Sequence, residues 1–168
     1  MDFEILFRAQ RPALFTFAGT PRQLDKVFFE ARDAVADGDE SAYRLRGAKG
    51  RTLQGFFDEM GAVLQLPYYF GETWDALDDL LENDGYLPGT ALFVSDAGQL
   101  FADEDPKELR NFAELMDRCN TFYLKPGYAA AETPGTGFHV VLQADEEALA
   151  TFEERLKTIG AEFARIEA

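Results

Sequence analysis

The chain has 168 residues and a formal net charge of -15, set by 31 Asp and Glu against 16 Lys and Arg, with 46% hydrophobic and 14% aromatic residues. That length suits one well-packed domain over residues 1–168, the apolar content excludes intrinsic disorder, and the acidity excludes a surface made for nucleic-acid phosphates or anionic membranes. Cys119 is the only cysteine, which excludes an intrachain disulfide and the metal sites built from paired cysteines.

The opening residues MDFEILFRAQRP lack the basic start and apolar stretch of a signal peptide, and no apolar run approaches the roughly 18 residues of a membrane span, so a cytoplasmic location is expected. ALFTF (13–17) reads as a short strand. Thr20-Pro21 then supplies an N-cap and a proline at the first helical position, opening a helix from Arg22 to about Ala36 that the DGDES run ends. YRLRG (43–47) alternates as a second strand. After a turn at Lys49-Gly50, the spacing predicts a helix from Thr52 to Leu64 with Leu53, Phe56, Phe57 and Met60 on its buried side.

LPYYFGETWDALDDLL (66–81) follows: a proline, three aromatics and a glycine set directly before a two-faced helix. With about 3.6 residues per turn, Trp74, Leu77, Leu80 and Leu81 share one side, and Asp75, Asp78, Asp79 and Glu82 another. Beyond Gly85 and a Pro88-Gly89 turn, TALFVSD reads as a buried strand, and residues 106–118 carry helical spacing through Leu109, Phe112 and Met116. A polar loop holds Pro126, Gly127, Pro134, Gly135 and Gly137. FHVVLQ (138–143) is another strand, Asp145 caps a helix to Ile159, Gly160 stops it, and EFARI is a last strand. Strands alternating with helices predict an α/β domain with a largely parallel sheet flanked by helices. No repeat beyond this alternation and no linker divides the chain.

The acidic helix edge stands out from an ordinary solvated one. From Thr52 to Pro106 there is no Lys, Arg or His, so the acids at 75, 78, 79 and 82 repel at roughly 0.2–0.5 kcal/mol per adjacent pair without an intrahelical cation to relieve them. Glu72 and Asp75 lie near the positive helix N-terminus, which offsets part of this. The fold can hardly bury every face of Tyr68, Tyr69 and Phe70, so ring surface is left for a partner. An enzyme would use Asp75 and Asp79 as general acid and base or as magnesium ligands. Against it, His139 alternates with apolar residues in a strand, and there is no glycine-rich phosphate loop, no G-x-S-x-G and no nucleophile beside a base. The expectation is a non-enzyme without metal or cofactor.

The same segment resembles the signature of the barstar family, inhibitors of ribonucleases such as barnase: a Leu-Pro, aromatics, Gly-Glu and an Asp-Ala-Leu core leading into the inhibitory helix. YRLRGAKGRTLQGFFDEM is similar to the family's first strand, turn and helix, TALFVSD to its second strand and FHVVLQ to its last, so the resemblance spans about residues 42–143. It implies a barstar-like α/β fold carrying an N-terminal extension (1–41) and a C-terminal helix and strand (144–168). It also implies an immunity protein or antitoxin that plugs the active site of a cationic ribonuclease or toxin nuclease domain, one to one, with helix carboxylates in place of RNA phosphates. By motif position Tyr69 covers the catalytic histidine, Asp75 is the first carboxylate, Asp79 is the most deeply enclosed, and Gly71 lets the chain approach closely. Tyr68, Glu72, Thr73, Asp78 and Glu82 complete the expected partner surface.

This sequence departs from the pattern at Thr73, where the family often has Asn, and at Asp78, where its best-known member has Trp. A further acid from the following helix could be Glu114 or Asp117. The alternative reading is an acidic α/β module for a basic partner that is not a nuclease.

Overall fold

The computed structural model describes residues 3–8, 10–35, 40–83, 89–124 and 137–167. Its strands are β1 (Leu14–Ala18), β2 (Ser41–Arg46), β3 (Thr90–Ser95), β4 (Phe138–Ala144) and β5 (Phe163–Ile166). They form one sheet in the order β2-β3-β4-β1-β5, and every pairing is parallel, so the expected largely parallel sheet is wholly parallel among the described strands. Parallel neighbours need a crossover, which the helices supply. Helix α1 (Pro21–Ala34) joins β1 to β2, α2 (Leu53–Leu64) and α3 (Trp74–Asn83) lie between β2 and β3, α4 (Pro106–Leu124) follows β3, and α5 (Glu146–Thr158) joins β4 to β5.

The helices begin where side chains can serve their orphan amides. Thr20 and Gln23 form a reciprocal capping box at α1 with Pro21 in its first turn, Thr52 accepts from Gly55 N at α2, and Asp145 accepts from Ala148 N at α5. Three boundaries differ from the sequence reading by two residues or more, the first being β2, which starts at Ser41 rather than Tyr43. Helix α1 stops at Ala34, and α4 runs six residues past 118 to Leu124. The continuation past 118 is held by Asn120, a polar residue that interrupts the apolar stripe yet is fully buried. Its amide donates to Gln10 O at 2.6 Å and accepts from Phe138 N at 3.4 Å. The turn at Pro88 and the loop residues Pro126, Gly127, Pro134 and Gly135 lie outside the described residues, as do Ala36 and residues 37–39 of the DGDES run.

Side chains alternate across the sheet into two cores. Leu92, Val94, Val140 and Leu142 pack with α2, α3, α4 and α5, while Phe15, Phe17, Phe93 and Val141 pack with α1 and the short 3-10 turn Phe3–Phe7. Strands β3 and β4 are therefore buried on both faces, as the reading of TALFVSD as a buried strand expects, with His139 and Gln143 of β4 as buried polar residues. His139 belongs to the second face. It is fully buried, with Nδ1 2.9 Å from Leu6 O and Nε2 3.0 Å from Gln10 O, and so it ties the N-terminal segment to β4.

Candidate functional site

Helix α2 ends at Gln65 in a left-handed conformation, φ 51°, and the chain turns through Leu66 to Thr73 before α3. A tight turn, Phe70 N to Pro67 O at 2.9 Å, splits the three aromatics. Phe70 goes inward against Phe57, ring centres 5.9 Å apart. Tyr68 is 100% exposed and Tyr69 63% exposed, in an edge-to-face pair at 5.6 Å. Two large rings standing in water without core contact are an unusual use of apolar area on a folded surface.

Helix α3 is set by its first two residues. Thr73 caps it, its hydroxyl accepting from Ala76 N at 3.1 Å. Trp74 turns into the aromatic core against Phe56, Phe57 and Phe101, and its indole N–H donates to Glu108 Oε2 at 2.7 Å. The same buried carboxylate accepts from Asn111 at 3.2 Å, so α4 fixes the start of the acidic helix through Glu108. Leu77, Leu80 and Leu81 are buried as the helical period predicts.

The acidic edge divides in two. Asp75 and Asp79, one turn apart, are exposed on the solvent side. Asp78 and Glu82 lie toward α4, close enough to the buried Cys119 that their charges add to burial in pushing its thiol up to about 12, which makes it an unreactive core residue. Asp78 accepts from Arg118 of α4 at 3.1 Å. The relief absent from the helix's own sequence thus comes from a residue 40 positions away, which no local pattern announces. Glu72 is exposed, and its carboxylate accepts from Gln54 of α2 at 2.8 Å, beside Asp58, which the same amide reaches at 3.0 Å.

Gly71 is not where the backbone is unusual. Its φ is not positive, and a Cβ built there would meet only Ala76 Cβ at 3.5 Å, an ordinary contact. The left-handed residue of this loop is Glu72, φ 50°, a conformation that costs a non-glycine residue about 1 kcal/mol or more. The expected partner residues from Tyr68 to Glu82 are each exposed in the loop or on α3, except that Asp78 is engaged internally and Glu82 is only partly exposed. Of the two candidate acids on α4, Glu114 lines a groove of about 470 Å³ with Thr73, Asp75, Asn111 and Arg118, while Asp117 faces Arg11 at 3.8 Å. Sequence spacing alone left these two equivalent.

Residues 41–143, more than half of the chain, match the family model described as Barstar (barnase inhibitor). The chain belongs to the barstar family. This is a family of inhibitors that bind ribonucleases, and the matched region holds β2, β3 and β4 with α2, α3 and α4. No curated protein sequence matches the chain. Among solved structures it is similar to Cdc6p from Pyrobaculum aerophilum, with a TM-score of 0.58 and 17% identity, covering 90% of this chain and 38% of that one. A second similarity is to a chain in the structure of Drosophila ORC bound to AT-rich DNA and Cdc6, with a TM-score of 0.48, 13% identity, and coverage of 96% of this chain and 49% of that one. The chain thus spans well under two thirds of either, and at such identity the first likeness is one of fold. In the barstar-family chain the helix N-terminus after β1 is closed by its own capping box: Thr20 Oγ1 accepts from Gln23 N at 3.2 Å and Gln23 Oε1 accepts from Thr20 N at 2.8 Å. Those amides, which a phosphate could otherwise use, are already served.

Proposed function

We propose that this barstar-family chain inhibits a cationic ribonuclease or toxin nuclease domain by seating its 68–82 surface in the active site, one molecule to one. The observation that carries the reading is that two solvent-standing rings, Tyr68 and Tyr69, come directly before a helix on which the carboxylates Asp75 and Asp79 are exposed. No basic residue lies between Thr52 and Pro106, so the loop and α3 bring no like charge of their own to an Arg- and Lys-lined cleft. Asp75 and Asp79 stand for two RNA phosphates, Tyr69 covers the catalytic base, and Tyr68, Gly71, Glu72 and Thr73 frame the contact. The cytoplasm is the proposed setting for such an inhibitor.

Asp75 and Glu114 line one groove together with Arg118, so α4 adds an acid to the face that α3 presents to a basic partner. The test is to titrate the purified chain against a panel of purified basic ribonucleases and toxin nuclease domains while following RNA cleavage. Stoichiometric loss of cleavage in at least one case is expected. Failure against the whole panel, with capture of a basic protein that cleaves no RNA, would move the function to the alternative partner class.

A further inference from the structure

Arg118 is a cation set into the acidic face. It stands on α4 with its side chain 52% exposed, lining the groove shared with Asp75 and Glu114, and it holds Asp78 at 3.1 Å. The other cations of α4 lie toward its start and face elsewhere: Lys107 pairs with Glu108 at 3.7 Å, and Arg110 lines a cavity with Arg11. Resting on the ribonuclease-inhibitor reading, we propose that Arg118 is a specificity-determining residue, whose guanidinium donates from the α3–α4 groove to a carboxylate or carbonyl oxygen of the ribonuclease beside its cationic cleft.

The Asp78 bridge fixes the donor in place. Asp78 Oδ2 takes Arg118 Nη2, while Asp78 Oδ1 is buried and has no hydrogen-bond partner among the described residues. If Arg118 swung away, a carboxylate only 27% exposed would lose its counter-charge, which disfavours any other placement. Among the described residues one of the five guanidinium donors is committed to Asp78, and the half-exposed head leaves others for a partner. A uniformly cationic partner would meet this head with like charge. A partner with an acceptor at that point gains a charge-assisted bond, so the pair selects among basic ribonucleases by repulsion as well as by attraction.

The experiment uses whichever ribonuclease of the panel the parent chain inhibits, and compares dissociation constants for Arg118→Ala, Arg118→Lys, the double variant Asp78→Asn/Arg118→Ala, and Asp79→Ala. Arg118→Ala makes the chain more acidic, so a wholly cationic partner would bind it more tightly. With an acceptor opposite, affinity instead falls roughly tenfold to a hundredfold. The double variant leaves the net charge of the parent and strands no carboxylate, and it should lose the same factor. Arg118→Lys, which keeps the charge without the fork, should recover only part. Unchanged or tighter binding by Arg118→Ala and the double variant, with Asp79→Ala still impaired, overturns the role of Arg118 and leaves the inhibitor reading standing. Full binding by Asp79→Ala shows that the partner does not dock on the α3 face, which overturns the placement of Arg118 beside the cleft while inhibition by the parent still stands, and a panel with no target removes both readings.

Discussion

Asp79 separates fold from function within a single residue. It is exposed, four residues from Asp75 on the same edge, and no ion pair within the chain engages it among the described residues. Asp79→Ala removes a like-charge neighbour and places a better helix former, so thermal stability should be unchanged or slightly higher. In the complex the same change strands desolvated Arg or Lys groups of the partner, at a cost on the order of 2–5 kcal/mol as at other interfaces with enclosed charge pairs, barnase–barstar among them. Affinity should fall roughly 30-fold to several thousand-fold, whereas Glu82→Ala, turned toward α4, should cost far less. Parent-like affinity of Asp79→Ala, or a loss that merely follows unfolding, would show the carboxylate is not the phosphate mimic. Gly71 makes the complementary case. Its surroundings accept a Cβ, so Gly71→Ala should keep stability within about 0.5 kcal/mol while weakening the complex if the partner's backbone packs there. A drop in melting temperature would instead assign the glycine to the fold.

At the scale of elements, His139 shows how β4 and the N-terminal segment depend on one another. Burial holds its imidazole below the ordinary histidine range and outweighs the two backbone carbonyls, which favour protonation. A neutral ring donates only once. Because Asn120 already serves Gln10 O, an Nδ1–H to Leu6 O leaves neither carbonyl without a donor. The unfolded chain takes up this proton near pH 6.5 and the folded chain only at lower pH, so stability is complete above about 6.5 and declines as pH falls below it, by at most about 1.4 kcal/mol per unit for one proton. Glu59 adds a second window further down, since the Arg46 hydrogen bonds hold its carboxyl below the ordinary value of 4.5. Urea unfolding of the parent between pH 7.5 and 5 should show the first decline, and a folded His139→Gln variant should flatten it while still inhibiting. An equal slope in both would refute the assignment. Most elements were legible beforehand, because Thr20-Pro21, Thr52 and Asp145 are local cap signals and β3 and β4 carry the short apolar runs ALFV and VVL. What stayed hidden was tertiary: the tie of Trp74 to Glu108, the bridge of Asp78 to Arg118, and the passage of α4 through the buried Asn120 each join residues that no window of sequence brings together.

For the molecule as a whole, a net charge of -15 with its basic-free stretch centred on α3 should steer a cationic partner, and salt screens such attraction beyond roughly 8 Å at physiological strength. Raising salt from about 10 mM to 500 mM should slow association far more than it hastens dissociation, and an association rate indifferent to salt would count against steering. The extensions outside residues 41–143 answer a different need. Strand β1 occupies the edge of β4, β5 pairs beyond it, and α1 covers Phe93 and Val141 on the second face of the sheet. A fragment 41–143 would keep the acidic helix but uncover that face and leave β4 as an open edge, losing Phe15, Phe17, Phe28 and Phe152 from the cores. Each buried side chain of that size is worth about 1.5–3 kcal/mol, so a handful matches the whole roughly 5–15 kcal/mol margin of a folded domain. The fragment should therefore aggregate or associate through its uncovered sheet, seen as early elution in size-exclusion chromatography with no cooperative melt, while the full chain elutes as a monomer. A monomeric fragment that melts cooperatively near the temperature of the parent would mean that the matched region is self-sufficient, and that the covering of β4 by β1 and α1 serves something other than stability.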